Sequence, residues 1–395
     1  MIASMAPDGR HAVRLRRFIG HTAANLLDVE EVTTSEGLDA LAPAWDGLHE
    51  RAGLRHPFLT HAFMRTFWDA YGEPGTLYVL VVRRYGQVVA IAPFARRRRT
   101  IYGVSVRAIE MLRHPDAPRS DFLLSTHPIE ACGAVLEHLV HRSRDWDVLD
   151  MSHFAETSVA YREVRRIARQ AGLLTGVDEL EGSPYLTRPR SWEAYWTSRA
   201  PRHRSNMRNR MRRLEREGEV ALETLRGGPT IKQALEDVFR LGGPALRSRP
   251  AAQRFYRDLT RRAASEGWLR VHFLKVGERR VAAIYALQYG ETHFLLRIGF
   301  HPELSSCSPG KLATMLAIER AFSEGAGEVD FLGRPDPWKR EWTAAVRPHR
   351  SLFVFPAHFR ARCLYVAKFG VVPRLRRSGL LRALRDALAR NEEPS

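Results

Sequence analysis

The residues whose types and spacing could carry chemistry are concentrated between Phe294 and Lys339. A strand-like segment there ends in the small-residue turn Ser305–Lys311, and a helix-like segment follows at once. The first N–H groups of a helix have no partner within it, so such a turn can bind phosphate. An ordinary strand-to-helix connection is the alternative, and the spacing of a P-loop is absent. The candidate phosphate-binding residues are Ser308, Pro309, Gly310 and Lys311.

Further polar residues accompany the strand-like segments on either side of this helix. Asp330 is near the carboxyl end of its strand, where α/β folds bind ligands, and could orient an amine or accept its proton. Lys339 could bind a phosphate or carboxylate, and Trp338 is either a platform for a sugar or acyl chain or a lid on the sheet. Arg297 lies within a strand, is expected to be paired or to face a cleft, and is a candidate contact to the donor or substrate. The alternatives are a buried structural carboxylate for Asp330 and a solvated loop for Lys339.

The elements that must position these residues occur twice in the sequence. Each half has a hairpin, another strand, a helix and a buried strand, so that Gly86 corresponds to Gly277 and the strand at Asp147 to the one at Val329. The two copies are roughly 180 to 190 residues apart. The second copy repeats the order of elements of the first but shares few identical residues with it. This order predicts two similar α/β domains.

Composition limits the function classes. With 395 residues, the chain is too long to fold around one compact core. Its 62 Lys and Arg residues against 44 Asp and Glu residues give a net charge of +18. Such a charge attracts polyanions, although a solvated arginine-rich surface is the alternative. The three cysteines lack a metal-ligand pattern, so we expect no metal site and a reducing cytoplasm. We expect no signal peptide, and no apolar run reaches the ~18–20 residues that cross a bilayer.

An arginine-dense segment joins the two copies. Met207, Met211 and Leu214 follow helical spacing, with Ser205 as the expected N-cap, and arginines cover the other faces. These arginines could line an acceptor cleft, contact a polyanion such as tRNA, or lie on a solvated face. We select Arg204 and Arg208 as candidate substrate contacts. No interleaved aromatic residues and no nucleic-acid motif are present, so DNA is not expected as a partner.

The chain ends are basic. Residues 1–27 are predicted to be a basic arm, and residues 356–395 a helical extension with a leucine stripe at Leu380, Leu381, Leu384 and Leu388. We expect this extension to pack against the second domain, with association with an anionic membrane surface as the alternative.

The run from Ser308 to Lys339 resembles the signature of GNAT-fold acyltransferases of the CelD type, which are associated with cellulose and exopolysaccharide and related to the FemAB peptidoglycan aminoacyltransferases. The resemblance extends over about Val29 to Val354. The residues that carry it are Ser308, Pro309, Gly310, Gly325 or Gly327, Asp330, Phe331, Gly333, Trp338 and Lys339.

The resemblance implies an α/β (α+β) protein of two tandem GNAT-like domains, each a mixed central sheet flanked by helices. The first domain is expected at residues 28–183, on the acceptor side, and the second at residues 184–355, where the acyl donor binds. An acyl-CoA co-substrate would lie between splayed strands at Thr292–Phe300 and Glu328–Leu332, with its pyrophosphate at Ser305–Lys311. The usual phosphate turn of GNAT domains contains more glycine than this one.

The resulting hypothesis is a cytoplasmic N-acyltransferase that transfers an acyl group from acyl-CoA to an amine of a sugar, amino acid or cell-envelope precursor. Asp330 and Lys339 are its candidate catalytic residues. One alternative keeps the fold and uses aminoacyl-tRNA or an acidic acyl carrier protein as donor. Another is a non-catalytic scaffold in a polysaccharide-synthesis complex. Association with the inner face of the membrane is a further expectation.

Overall fold

The computed structural model describes residues 27–377. Except for Leu27, the predicted basic arm lies outside these residues, and so does the leucine stripe near the C-terminus. The described strands are β1 (Leu27–Val32), β2 (Leu77–Arg84), β3 (Gln87–Ile101), β4 (Val104–Met111), β5 (Leu123–Leu124), β6 (Val148–Ala155), β7 (Leu174–Thr187), β8 (Val220–Leu225), β9 (Leu269–Val276), β10 (Arg279–Tyr289), β11 (Thr292–Phe300), β12 (Glu328–Asp330) and β13 (Val346–Phe355).

Helices connect these strands and cover the sheet. They are α1 (Ser35–Ala40), α2 (Ala42–Ala52), α3 (His61–Tyr71), α4 (Pro128–His141), α5 (Val159–Gln170), α6 (Trp192–Ser198), α7 (Pro201–Glu215), α8 (Ile231–Leu241), α9 (Pro244–Arg247), α10 (Pro250–Ser265), α11 (Pro309–Ser323), α12 (Pro337–Arg340), α13 (Phe359–Tyr365) and α14 (Val372–Arg377). Short 3-10 turns lie at Pro57–Leu59, Ser143–Asp145 and Pro302–Cys307, and a π-helical turn lies at Val366–Val371.

The strands form one mixed sheet, in the order β1-β2-β3-β4-β6-β13-β7-β12-β11-β10-β9-β8, with β5 beside β3. In the first half β2 and β3 form the predicted hairpin, whose turn residues Tyr85 and Gly86 both have positive φ. A turn of this kind matches the right-handed twist of the strands it connects. β4 and β6 pair in parallel, with α4 as the connection between them.

The second half repeats this order, as predicted. β9 and β10 form the hairpin, β11 follows, and α11 leads to β12, which pairs with β11 in parallel. The helices α4 and α11 also start alike, because His127 and Ser308 both adopt the left-handed conformation and a proline follows each. The prediction of two similar halves in a mixed α/β protein is confirmed.

Two strands join the halves into one sheet. β7 pairs with β13 over most of its length and then with β12 through Tyr185–Thr187. β13 follows the second half in sequence but lies between β6 and β7, beside the strands of the first half. The division at residues 183 and 184 stays a prediction, and the pairing shows that Val346–Phe355 completes the run of strands in the first half.

The largest apolar core is shared by both halves. Phe58 of the first half contacts Phe294 of β11 edge to face, with ring centroids 5.0 Å apart, and Phe63 of α3 contacts Phe255 of α10 in the same way. A separate core beneath α7 and α11 contains Met207 and Leu214, and Met211 packs against it, so the predicted apolar stripe is confirmed.

The C-terminal extension packs differently from the prediction. Ala361 and Leu364 of α13 lie in a core with Val106, Val148 and Phe355, on strands of the first half. The Phe369 ring lies against the backbone of Gly176, where a Cβ would be 2.1 Å from it. The expectation that the extension packs on the second domain is therefore wrong for residues 359–369, because β13 leads the chain back to the first half.

Within residues 27–377, no helix has both the length and the apolar character required to cross a bilayer. In the same range, no group of three or more His, Cys, Asp or Glu side chains is arranged to hold a metal ion. All three cysteines are free thiols, of which Cys132 and Cys307 are buried and Cys363 is exposed.

Candidate active site

The parallel strands β11 and β12 separate beside the helix α11. Their pairing ends at Phe294 and Asp330, whereas β11 continues to Phe300. The edge of β11 beyond Phe294 therefore has no strand partner on that side. β11 also contains a bulge, since Tyr285 of β10 pairs with Arg297 and Ala286 pairs with Leu295, which leaves Leu296 unmatched. The result is an opening between two splayed strands, lined by free backbone groups.

The start of α11 lies at this opening. The Gly310 N–H has no acceptor among the described residues, whereas the Lys311 N–H donates to the Ser308 carbonyl at 3.0 Å. A Cβ on Gly310 would be 3.2 Å from the Phe300 ring, so this glycine lets α11 pack closely on β11. The Lys311 ammonium contacts both oxygens of Glu341, at 2.6 and 2.7 Å. The predicted turn thus offers one free N–H, with its lysine already paired.

Unpaired arginines lie on the adjacent helix α7. His203 of α7 is 3.5 Å from Glu341, the partner of Lys311, so the first turns of α7 and α11 are neighbours. Arg204 and Arg208 have no side-chain hydrogen bond or ion pair with any described residue, and the buried Nε of Arg204 has no partner. The helix begins at Pro201 with Ala200 as its N-cap, so the expectation that Ser205 caps it is wrong.

Asp330 is fully buried at the end of β12. Its Oδ2 accepts from Arg119 and, at 2.7 Å, from Arg347, while its Oδ1 accepts the Leu332 N–H at 2.8 Å. Both carboxylate oxygens are therefore engaged by donors. Asp330 therefore links Arg119 of the first half and Arg347 of β13 to the end of β12, beside the opening between the splayed strands.

Lys339 and Trp338 close the segment after β12. The Lys339 Nζ donates to the carbonyls of Leu332 and Arg334, both at 2.8 Å, and lies 3.2 Å from the Asp336 carboxylate. Its three ammonium protons thus have protein partners, and burial lowers the pKa of the side chain although Asp336 opposes this. Trp338 contacts the ring of Phe331 edge to face.

Arg297 joins the two halves through an ion pair. Its Nη2 lies 2.7 Å from Oδ2 of Asp116, which also accepts from the Tyr256 hydroxyl at 2.6 Å. Burial acts to lower the pKa of Arg297, but Tyr256 and Asp116 outweigh it and raise the value. The expectation that this arginine is paired is confirmed.

A cavity of about 880 Å³ lies between the halves on the face of β11 and β12 that carries Phe294 and Glu328. It receives side chains from the first half, from the second half and from β13. The charged and titratable lining residues are Arg55, His56, Arg119, Asp121, His153, Glu291, Glu328, Arg347 and His349.

Three histidines of this cavity are held neutral. Burial, with Arg119 nearby, lowers the pKa of His349 to about 3 and brings that of His56 well below its ordinary value. Burial together with Arg113 lowers the pKa of His153 to about 4. Within this cavity, the buried atoms Nε of Arg119, Nδ1 of His56 and Nδ1 of His153 have no hydrogen-bond partner among the described residues. They suit a ligand with several polar groups.

Asp121 differs from the other acids of the cavity. Its Oδ1 accepts from the Ser158 hydroxyl and the Phe122 N–H, both at 2.8 Å, and its Oδ2 has no partner among the described residues. Burial raises the pKa of Asp121 to about 7, against the effect of these two donors. Glu328, by contrast, accepts from Arg347 with both oxygens at 2.9 Å. Asp121 is thus the cavity acid with a free oxygen and a pKa near neutrality.

Our sequence predictions omitted Asp121, Arg119 and the cavity histidines. They lie in connections or at strand ends far from residues 294–339, and no spacing rule relates them to that segment. The one local signal is the polar run Arg119–Asp121 directly before the apolar residues Phe122–Leu124.

Comparisons with known proteins agree with this geometry. Residues 201–340 match the family model described as "Acetyltransferase (GNAT) domain". The crystal structure of FemX superposes with a TM-score of 0.53 at 12% identity, over 86% of this chain and 99% of that one. No curated protein matches the chain.

Two other solved structures align less closely. One is the C-terminal domain of a putative lysylphosphatidylglycerol synthetase from Agrobacterium fabrum, with a TM-score of 0.49, 9% identity and coverage of 84% of this chain and 96% of that one. The other is a tandem GNAT protein from the clavulanic acid biosynthesis pathway, with a TM-score of 0.45, 13% identity and coverage of 84% and 100%.

The family match spans the strands and helices that form the opening, from α7 through β11, α11 and β12 to Arg340. The chain therefore contains a GNAT acetyltransferase domain within two tandem GNAT-like halves, and it is an acyltransferase of the GNAT type.

Proposed function

We propose that this protein is an N-acyltransferase that transfers an acyl group from acyl-CoA to an amine on a sugar, amino acid or cell-envelope precursor, as in enzymes of the CelD type. The observation that carries the proposal is the opening between β11 and β12 beside the start of α11, with the large cavity at the beginning of the same two strands.

The residues at the opening fit a CoA ester. The unpaired edge of β11 offers N–H donors to the acyl carbonyl, and Arg204, Arg208 and the Gly310 N–H are available to phosphates. Lys311 contributes less than predicted, because Glu341 neutralises it. When bound, the CoA ester supplies an activated acyl group. The backbone donors of β11 are placed to stabilise the negative charge that develops on its oxygen.

The cavity fits the acceptor. We assign Asp121 as the group that receives the proton of the amine, through its free Oδ2. Arg119 and Arg347 are positioned to contact an anionic or polar group of the acceptor, and their shared partner Asp330 holds both in place. Asp330 and Lys339 then act as positioning residues, because their polar atoms are engaged within the protein.

Calorimetry with acetyl-CoA and longer acyl-CoAs tests the donor assignment. We expect binding that weakens about tenfold in Arg208→Glu, since a charged contact to phosphate is replaced by repulsion. Arg254→Glu is the matched control, because Arg254 is an exposed arginine on α10 of the same half. Failure of every acyl-CoA to bind the unaltered protein would refute the assignment.

A second candidate donor is aminoacyl-tRNA or an acidic acyl carrier protein. The unpaired arginines along α7 favour it, since they form a cationic helix face that exceeds what one pyrophosphate requires. A tRNA donor predicts an affinity that falls steeply with salt, and it is excluded if tRNA fails to bind at ~50 mM salt. The scaffold alternative predicts that cellular function survives loss of Asp121.

A further inference from the structure

A second cavity, of about 360 Å³, lies in the first half at the place that corresponds to the opening in the second half. The parallel pair β4 and β6 ends at Glu110 and Asp150, just as the pair β11 and β12 ends at Phe294 and Asp330. Asp150 therefore occupies the position in β6 that corresponds to Asp330 in β12. The cavity opens where β4 and β6 separate, and Asp150 lines it.

The two aspartates have different partners. Asp330 contacts two guanidinium groups, whereas Asp150 accepts only from the Ser152 hydroxyl and forms no ion pair with a described residue. Burial, with Glu110 nearby, raises the pKa of Asp150 although Ser152 and Arg113 oppose it. The first half thus keeps the carboxylate at this position without the arginines that neutralise it in the second half.

Arg113 lines the same cavity and also lacks a partner. Its side chain has no hydrogen bond or ion pair with any described residue, and burial lowers its pKa although Asp150 and Glu110 oppose this. The other charged groups of the lining are already paired with each other. Arg99 contacts both oxygens of Glu110 at 2.6 Å, and Arg97 lies 2.9 Å from Glu73.

A half-buried cation and a half-buried anion that line one cavity without pairing leave two opposite charges for a ligand to satisfy. The remaining walls are largely apolar and are formed by Phe67, Tyr71, Ala95, Met111, Leu112 and Pro115. The volume is near the lower end of the ~300–1,000 Å³ range of ligand pockets, which indicates a small molecule.

We propose that this cavity binds a small zwitterion, an α-amino acid with an apolar side chain, with its carboxylate on Arg113 and its ammonium on Asp150. The apolar side chain packs against Phe67, Tyr71 and Met111. The site is separate from the cavity assigned to the acceptor, and the proposal does not depend on the identity of the acyl donor.

Calorimetry on the unaltered full-length protein tests both charges at once. We expect L-phenylalanine or L-leucine to bind, and phenethylamine and 3-phenylpropanoate, which each lack one charge, to bind at least about tenfold more weakly. Binding of the amine or the acid as tightly as the amino acid would overturn the proposal, and so would the failure of all apolar amino acids to bind at millimolar concentration.

Variants then locate the site. Arg113→Gln and Asp150→Asn should each weaken binding of the same amino acid by about tenfold or more, because each removes one charged contact. Arg98→Gln is the matched control, since Arg98 is exposed on β3 between Arg97 and Arg99 and does not line the cavity. Unchanged affinity in both Arg113→Gln and Asp150→Asn would contradict the assignment. If either variant fails to fold, the comparison of ligands on the unaltered protein still decides.

Discussion

At the scale of single residues, Asp121 combines a free carboxylate oxygen in the large cavity with a pKa close to neutrality. Its Oδ1 is held by Ser158 and the Phe122 N–H, and burial raises its pKa to about 7. If it accepts the proton of the amine, the reaction requires its ionised form. The rate should therefore rise with pH through about 7.

Asp121→Asn should lower kcat/KM by about 10² to 10⁴, the usual contribution of a general base. The remaining activity should lose the rise through pH 7, because the group that titrates there is gone. A pH profile of kcat/KM for both proteins measures this. An unchanged profile in the variant would remove Asp121 from the mechanism.

The same group makes stability depend on pH. In the unfolded chain the Asp121 carboxyl ionises near its ordinary pKa of 3.8, but in the folded protein it keeps its proton up to a pKa of about 7. Stability contributed by this group is thus complete below 3.8 and is lost as the pH rises to about 7. Relative to Asp121→Asn, the melting temperature of the unaltered protein should fall as the pH rises from about 4 to about 7. An exposed control, Asp28→Asn, should show no such trend.

The sequence identified several of the interacting residues but not their partners. Asp330 is a candidate because α/β folds bind ligands at the carboxyl ends of strands, and Lys339 because it could bind a phosphate or carboxylate. Arg297 is a candidate because an arginine within a strand should be paired or face a cleft. Their partners, Arg119, the Leu332 carbonyl and Asp116, could not be predicted, because two of them are distant in sequence and the third is a backbone atom. A pKa near 7 at Asp121 also arises only from tertiary burial.

At the scale of elements, the segment Leu332–Arg340 is held in an unusual backbone conformation. Leu332 and Gly333 both have positive φ, which is unfavourable for a leucine. Lys339 stabilises this turn by donating to the carbonyls of Leu332 and Arg334. The ammonium thus takes the place of backbone hydrogen bonds after β12 ends.

Lys339→Met keeps the apolar stem and removes these donors. Since two carbonyls and Asp336 lose their partner, we expect a loss of roughly 2–4 kcal/mol in the free energy of unfolding. Urea denaturation measures it. Lys232→Met on α8, where the lysine is exposed, should change stability by less than about 0.5 kcal/mol. Equal stability of the two variants would show that Lys339 does not hold the turn.

Elements with local signals were predicted well. The β2–β3 hairpin follows from Tyr85-Gly86 between β-branched runs, and α7 follows from Met207, Met211 and Leu214. The position of β13 was not predicted, since nothing within Val346–Phe355 indicates that it pairs between β6 and β7. Strand order depends on long-range pairing, which a local pattern does not contain.

At the scale of the whole molecule, the two halves share their sheet and their largest core, and ion pairs such as Arg297–Asp116 and Arg119–Asp330 connect them. β7 crosses from one set of strands to the other, and Phe58 packs on Phe294 in the common core. We therefore expect the protein to unfold as one unit although its sequence repeats an architecture. A perturbation at β13 should then destabilise strands on the far side of the second half.

Leu352 of β13 is fully buried in the core of the first half. Leu352→Ala should cost about 2–5 kcal/mol, because it leaves a cavity in that core. Amide hydrogen exchange followed by mass spectrometry should then show faster exchange in β10 of the second half, by as much as in β2 of the first, since both are protected by the same global opening. The exposed Val371→Ala should alter neither strand. Faster exchange confined to β2 would instead show that the halves open separately, and the shared core would not couple them.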